Sequence, residues 1–120
     1  MRGGIMQEFV CSLDAAMHMI GGKWKLSIIW YLRDGKKRFN QLLKLIPYIT
    51  QKMLTQQIRE LERDNIVNRK VYAQVPPKVE YSLTETGQKL VPIVTNLCFW
   101  AYDAAEINNF QIGRENDGSP

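Results

Sequence analysis

The stretch from Ile49 to Leu83 constrains the fold more than any other part of the chain. Thr50 is a good helix N-cap, and Ile49 before it can close a hydrophobic staple on Leu54, four residues inside the helix that follows. The apolar stripe continues through Ile58 and Leu61. Two β-prone segments come next, Ile66 to Ala73 and Val79 to Leu83. Between them lies Gln74-Val75-Pro76-Pro77-Lys78, too rich in proline to continue a strand. A capped amphipathic helix leading into a hairpin with a stiff tip leaves few topologies.

The upstream segments narrow them further. Leu13, Ala16, Met17 and Ile20 fall at one-face spacing and predict a short first helix, capped by Ser12 and stopped by Gly21-Gly22. Lys23 to Arg33 is apolar almost all round, with Trp24, Leu26, Ile28, Ile29, Trp30, Tyr31 and Leu32, as expected of a helix buried between neighbours. Asp34-Gly35 ends it. Phe39, Leu42, Leu43 and Ile46 give a third helix over about 38 to 46, and Pro47 forces a turn. A generic α-hairpin would account for the third and fourth helices alone, but the hairpin after them gives the order of a winged helix-turn-helix. The expected class is therefore mainly α with a small β-hairpin. Thr84 caps a last helix over about 84 to 112, which Pro92 bends or restarts. It carries Leu90, Ile93, Val94, Leu97, Trp100, Ala101 and Ala104 on one broad face. Residues 1 to 10 and 113 to 120 read as tails around a single domain spanning 11 to 112.

Charge supports this division. The whole chain carries a formal +4, yet residues 23 to 78 hold 13 basic and 4 acidic side chains. Both flanks are net acidic. A basic middle between acidic ends favours a polyanion on one side, most often nucleic acid, although a solvated charged surface is the plain alternative. No apolar run approaches the ~18 residues of a membrane span, and the N-terminus lacks the apolar core of a secretion signal. A cytoplasmic protein with no membrane partner is expected. The chain has two cysteines, Cys11 and Cys98, and no paired metal-ligand motif, so neither a metal nor a cofactor is expected. A catalytic pairing of cysteine with the single histidine, His18, lacks an orienting partner or an oxyanion motif, which argues against an enzyme.

Gln51, Lys52, Thr55, Gln56 and Arg59 fall within an arc of about 140° on the fourth helix, away from its apolar stripe. These are side-chain types that read base edges, so this helix is expected to enter the major groove of double-stranded DNA. Lys36, Lys37 and Arg38, at the start of the third helix, are expected to meet backbone phosphates. In the wing, Arg69, Lys70, Pro76, Pro77 and Lys78 are expected on the adjacent backbone or minor groove; a solubilising edge of the hairpin is the alternative. The last helix has more apolar surface than a small domain covers by itself. Leu13, Met17, Ile93, Leu97, Trp100, Ala101 and Ala104 are therefore expected to build a homodimer through the terminal helices, setting two recognition faces about one DNA turn (~34 Å) apart over a palindromic operator.

Cys11 lies next to a helix start, where the dipole favours thiolate and hence reaction with an oxidant or a small electrophile; an inert apolar residue is the alternative. Cys98 reads as buried packing that meets Cys11 of a second copy only if both terminal helices share the interface. Two competing functions stay open: a winged helix used as a protein-interaction module, and a small-molecule sensor with no cysteine switch. The sensor's ligand would lie among Trp24, Trp30, Tyr31 and Trp100, aromatics whose spacing also suits plain core packing.

Over roughly residues 9 to 104 the chain resembles the HxlR-type winged helix transcription regulators, relatives of the MarR group. The resemblance rests on Cys11 followed by Leu13, on Gly22-Lys23-Trp24, on R-F-N-Q-L at Arg38 to Leu42 and on T-Q-K-M-L-T-Q-Q-I-R-E-L-E at Thr50 to Glu62. It ends with V-P-P-K-V-E-Y-S-L-T-E-T-G at Val75 to Gly87. It implies a homodimeric, cytoplasmic DNA-binding regulator joined through its first and last helices. In several members a cysteine placed like Cys11 is implied to sense aldehydes, quinones or other thiol-reactive compounds. Two positions depart from the pattern. Ser12 stands where many members have proline, and Asn65 stands where glycine is usual, although asparagine tolerates the left-handed conformation that ends a helix.

Overall fold

A computed structural model describes residues 6–113; the expected tails fall mostly beyond them, at 1–5 and 114–120. Six helices and one hairpin follow in order: α1 (Ser12–Ile20), α2 (Lys25–Tyr31), α3 (Phe39–Leu45), α4 (Gln51–Arg63), β1 (Val67–Tyr72), β2 (Lys78–Leu83), α5 (Glu85–Gln88) and α6 (Val91–Ile107). The apolar α2 becomes the central helix. Its Ile28 and Ile29, with Leu32 at its C-cap, are fully buried in one cluster with Leu42 of α3 and Leu54, Ile58 and Leu61 of α4. Removing one such side chain to alanine costs about 2–5 kcal/mol.

The start of α4 forms as its sequence dictates. Met53 N donates to Thr50 Oγ1 at 3.1 Å, while Ile49 and Leu54 are both buried in the same cluster. At the far end Asn65 takes a φ of 61°, the left-handed conformation that lets the chain turn into β1. β1 and β2 pair antiparallel with Val67 opposite Leu83 and Tyr72 opposite Lys78. A third backbone segment joins them, since Lys37 N donates to Tyr81 O at 2.9 Å and Tyr81 N to Lys37 O at 2.8 Å. The wing is thus tied to the segment leading into α3.

Three expectations need correction. Ser12 is the first helical residue rather than the cap: Ala15 N donates to Cys11 O at 3.1 Å, so the first helical hydrogen bond begins one residue earlier, with Cys11 at the N-cap position and no side-chain cap bond. The last helix is two. Thr84 caps only the single turn of α5, accepting from Gly87 N at 3.0 Å, and α6 restarts with Pro92 in its first turn, where the missing N–H costs nothing. Finally, α6 stops at Ile107 rather than near 112, because Asn109 turns left-handed at φ 60°.

Thr84 also donates to Asn65 O at 2.6 Å, joining the end of α4 to α5. Gly87 is required there. A Cβ at this position would run into the Ile66 carbonyl oxygen. Among the described residues no helix is long and apolar enough to cross a membrane, and no group of three His, Cys, Asp or Glu could hold a metal ion.

Candidate nucleic-acid interface

The expected recognition face of α4 divides into two edges. Gln51, Thr55 and Arg59 border a cleft of about 570 Å³ whose other walls are Phe39 of α3 and Arg69 and Tyr81 of the wing. Alternation along the strands explains why the wing contributes these two. Tyr81 and Arg69 are partners in the register, so their side chains share the face turned toward the helices, whereas Lys70, Tyr72, Lys78 and Glu80 lie on the other face. Arg59 and Arg69 are exposed and make no ion pair among the described residues, leaving two guanidinium groups on one cleft. Glu62 also lines it, a residue the sequence reading did not weigh. Thr55 donates its hydroxyl to Gln51 O at 2.8 Å, which occupies that hydroxyl's proton within the helix. Lys52 is exposed on the same helix.

Gln56 occupies the opposite edge. Its Nε2 donates to Glu60 Oε2 at 3.4 Å, and Glu60 Oε1 is 2.7 Å from the ammonium of Lys25 on α2. That lysine is only 4% exposed, the single charged residue in the core among the described residues. Its hydrogen bond to Glu60 holds the carboxyl below the usual carboxylate range, against a smaller opposing effect of burial. The sequence signal for Lys25 was a charge within the otherwise apolar α2, where it was counted only among the basic side chains.

The expected phosphate cluster is less free than its composition suggests. Lys37 is bound to Asp34 at 2.6 Å, with its side chain 16% exposed. Lys36 and Lys78 both reach Glu80, at 3.5 and 3.6 Å, and the Tyr72 hydroxyl hydrogen bond is the largest influence holding the Glu80 carboxyl below its usual range. Lys70 and Lys78 also lie over the Tyr72 ring, each 4.9 Å from its centroid. Arg38, at the α3 N-cap, remains exposed and unpaired among the described residues, and Pro76 and Pro77 are exposed at the wing tip.

The broad apolar face expected on the last helix is two stripes. Val94, Cys98 and Ala105 turn toward α2 and the core, while Ile93, Leu97 and Trp100 stand exposed, with Ala104 between them half-buried. Ala101 lies half-buried at the boundary. Leu13 and Met17 of α1 are also exposed, so every expected interface residue except the two alanines is open to a partner. The cysteines are thiols in different settings: Cys11 is exposed and Cys98 half-buried. Trp24, Trp30 and Tyr31 pack against the core and Trp100 does not, so these aromatics do not share the cleft.

Residues 19–109 match the HxlR-like helix-turn-helix family. The chain belongs to that family. Within it, this HxlR-like chain is 56% identical over 90 residues to the HTH-type transcriptional regulator YdeP of Bacillus subtilis, covering 75% of this chain and 70% of YdeP. Solved structures agree. The redox regulator HypR superposes in its oxidized form with a TM-score of 0.74 and 54% identity, over 78% of this chain and 96% of HypR. Its reduced form gives 0.78 and 49%, over 82% of this chain and 98% of HypR. The architecture is a winged helix-turn-helix, and the chain's class is that of transcriptional regulators.

Proposed function

We propose that this HxlR-like chain acts as a homodimer that binds a two-fold symmetric operator in double-stranded DNA. The observation that carries the reading is the α4 face, where Gln51, Thr55 and Arg59 stand across a cleft from Arg69 of the wing. In this reading α4 lies in the major groove. Arg59 reads a guanine, Gln51, Lys52 and Gln56 face neighbouring base edges, and the Thr55 methyl suits a thymine methyl. Arg38, Lys36, Lys37, Arg69, Lys70 and Lys78 meet backbone phosphates, and Pro76 and Pro77 lead the wing toward the minor groove. The exposed stripes of α1 and α6 cover each other in a second copy, giving a dimer whose two α4 helices face one side of the duplex.

A thiol response to an oxidant or small electrophile belongs to the same reading. It rests on the exposure of Cys11 at the start of α1, inside the proposed dimer surface, and on the likeness to a redox regulator. The domain spans 11 to 112 with α6 as its dimer helix, it works in the cytoplasm, and it carries no enzymatic activity. Selection from a duplex library with a randomised 24-base-pair core, followed by fluorescence anisotropy, tests the DNA reading. A palindromic consensus is the expected outcome; recovery of unenriched sequence at low salt would remove it.

A further inference from the structure

Among the described residues Lys25 is the one charged group placed in the core, and burying an ammonium is costly unless the pairing it makes is strong. Its partner is Glu60 on α4 at 2.7 Å, and the second oxygen of that carboxylate faces Gln56 Nε2 at 3.4 Å. The three groups form a line from the core to the outer edge of the proposed recognition face. One end is fixed by burial, the middle by charge, and only the end at Gln56 is exposed.

This line has a consequence for the amide. A carboxylate oxygen accepts only, so the Gln56 group turned toward Glu60 must be its NH2, and the carbonyl Oε1 is left pointing away. The opposite orientation would set two acceptors against each other. An amide with its carbonyl outward offers an acceptor first, and the base edges that donate in the major groove are the amino groups of adenine N6 and cytosine N4. The remaining N–H on Nε2 adds a donor, which adenine N7 can accept and cytosine cannot match. We infer that Lys25 and Glu60 are positioning residues that set the amide orientation of Gln56, so that this position of the helix selects adenine in the operator.

The relay acts through Gln56 alone. Lys25 touches no nucleic acid, and the sequence-independent attraction to phosphates does not pass through it. The inference rests on the DNA reading above, and its tests separate the two. In the free protein, the Gln56 side-chain amide protons in a nitrogen-15 spectrum should be well separated. They should move as pH falls through the Glu60 titration, and both properties should be lost in Lys25→Met. An amide indistinguishable from that of an exposed glutamine in wild type overturns the relay whether or not the protein binds DNA.

On DNA, library selections with wild type, Lys25→Met, Gln56→Ala and the double variant supply the second test. The base position whose preference disappears in Gln56→Ala is the position Gln56 contacts. At that position wild type should favour adenine about tenfold, Lys25→Met should reduce the preference to about twofold, and the double variant should match Gln56→Ala. The salt dependence of affinity should be unchanged in Lys25→Met. A loss of preference spread over all positions, or equal effects of Lys25→Met with and without Gln56, overturns the inference. If Lys25→Met fails to fold, Glu60→Ala, which removes the acceptor that orients the amide, is read in the same selections. Retention of the full adenine preference there overturns it equally.

Discussion

Trp100→Ala tests the proposed pairing of two chains at its largest exposed element. Trp100 is 66% exposed on α6, beside Ile93 at 59% and Leu97 at 46%. A tryptophan side chain buries at most ~250 Å², so about 165 Å² of it waits to be covered. At about 25 cal/mol per Å² this is about 4 kcal/mol per protomer, and a symmetric dimer contains it twice. Truncations of buried interface aromatics commonly cost about 2–4 kcal/mol each, which gives about 4–8 kcal/mol for both copies. Each 1.4 kcal/mol is tenfold, so the dimer dissociation constant should rise by at least about a thousandfold. Sedimentation velocity over a concentration series reads this directly, with circular dichroism showing that the separated chains keep their helices. Because Trp100 is exposed in the single chain, its loss should leave the fold of that chain intact. A dissociation constant within threefold of wild type would refute the reasoning, and so would a wild type that stays monomeric at micromolar concentration.

Three other perturbations follow from particular contacts. Gly87→Ala forces a Cβ onto the Ile66 carbonyl and should destabilise by about 1–3 kcal/mol, read as a lower Tm, whereas an unchanged Tm would mean that α5 shifts freely. Because the Glu60 carboxyl is held below its ordinary value near 4.5, the ion pair adds stability above that pH and loses it as pH falls through the native value. Melting temperatures at pH 6 and pH 3.5 should therefore differ more in wild type than in Lys25→Met, and an equal difference would place the acid sensitivity elsewhere. Mild oxidant should change operator affinity in wild type and leave Cys11→Ser unaffected; a response retained in that variant would remove Cys11 from the sensing role.

Much of the fold was legible because local chemistry and tertiary packing agree. Thr50, Ile49 and Leu54 define one helix start, and the structure uses all three. The hairpin was legible for the same reason: Pro76 and Pro77 exclude a strand where the chain in fact turns. The failures occur where a sequence window has two valid readings. Ser12 and Cys11 are neighbours, and which one caps α1 is decided by the carbonyl that accepts the first helical bond. Ile93 and Val94 are adjacent and both apolar, so periodicity alone merged an outward stripe with an inward one. In the candidate site, the α4 residues were visible as a polar arc. What divides that arc is Arg69 across the cleft on one side and Lys25 beneath Glu60 on the other, and both partners lie at least ten positions away in the chain. The lysines beside α3 looked free because Asp34 was read as a helix stop and Glu80 counted only toward net charge, while in the structure Asp34 holds Lys37 and Glu80 holds Lys36 and Lys78.

The central claim is that the α4 face reads sequence. The most direct measurement is the affinity of wild type and Arg59→Ala for the selected duplex and for a scrambled duplex of equal length, from 50 to 200 mM salt. Wild type should prefer the selected duplex by about 10³-fold or more. Arg59→Ala should lose about 1–3 kcal/mol per half-site on that duplex and much less on the scrambled one. Equal wild-type affinity for both duplexes, or equal losses on both in Arg59→Ala, would contradict the account.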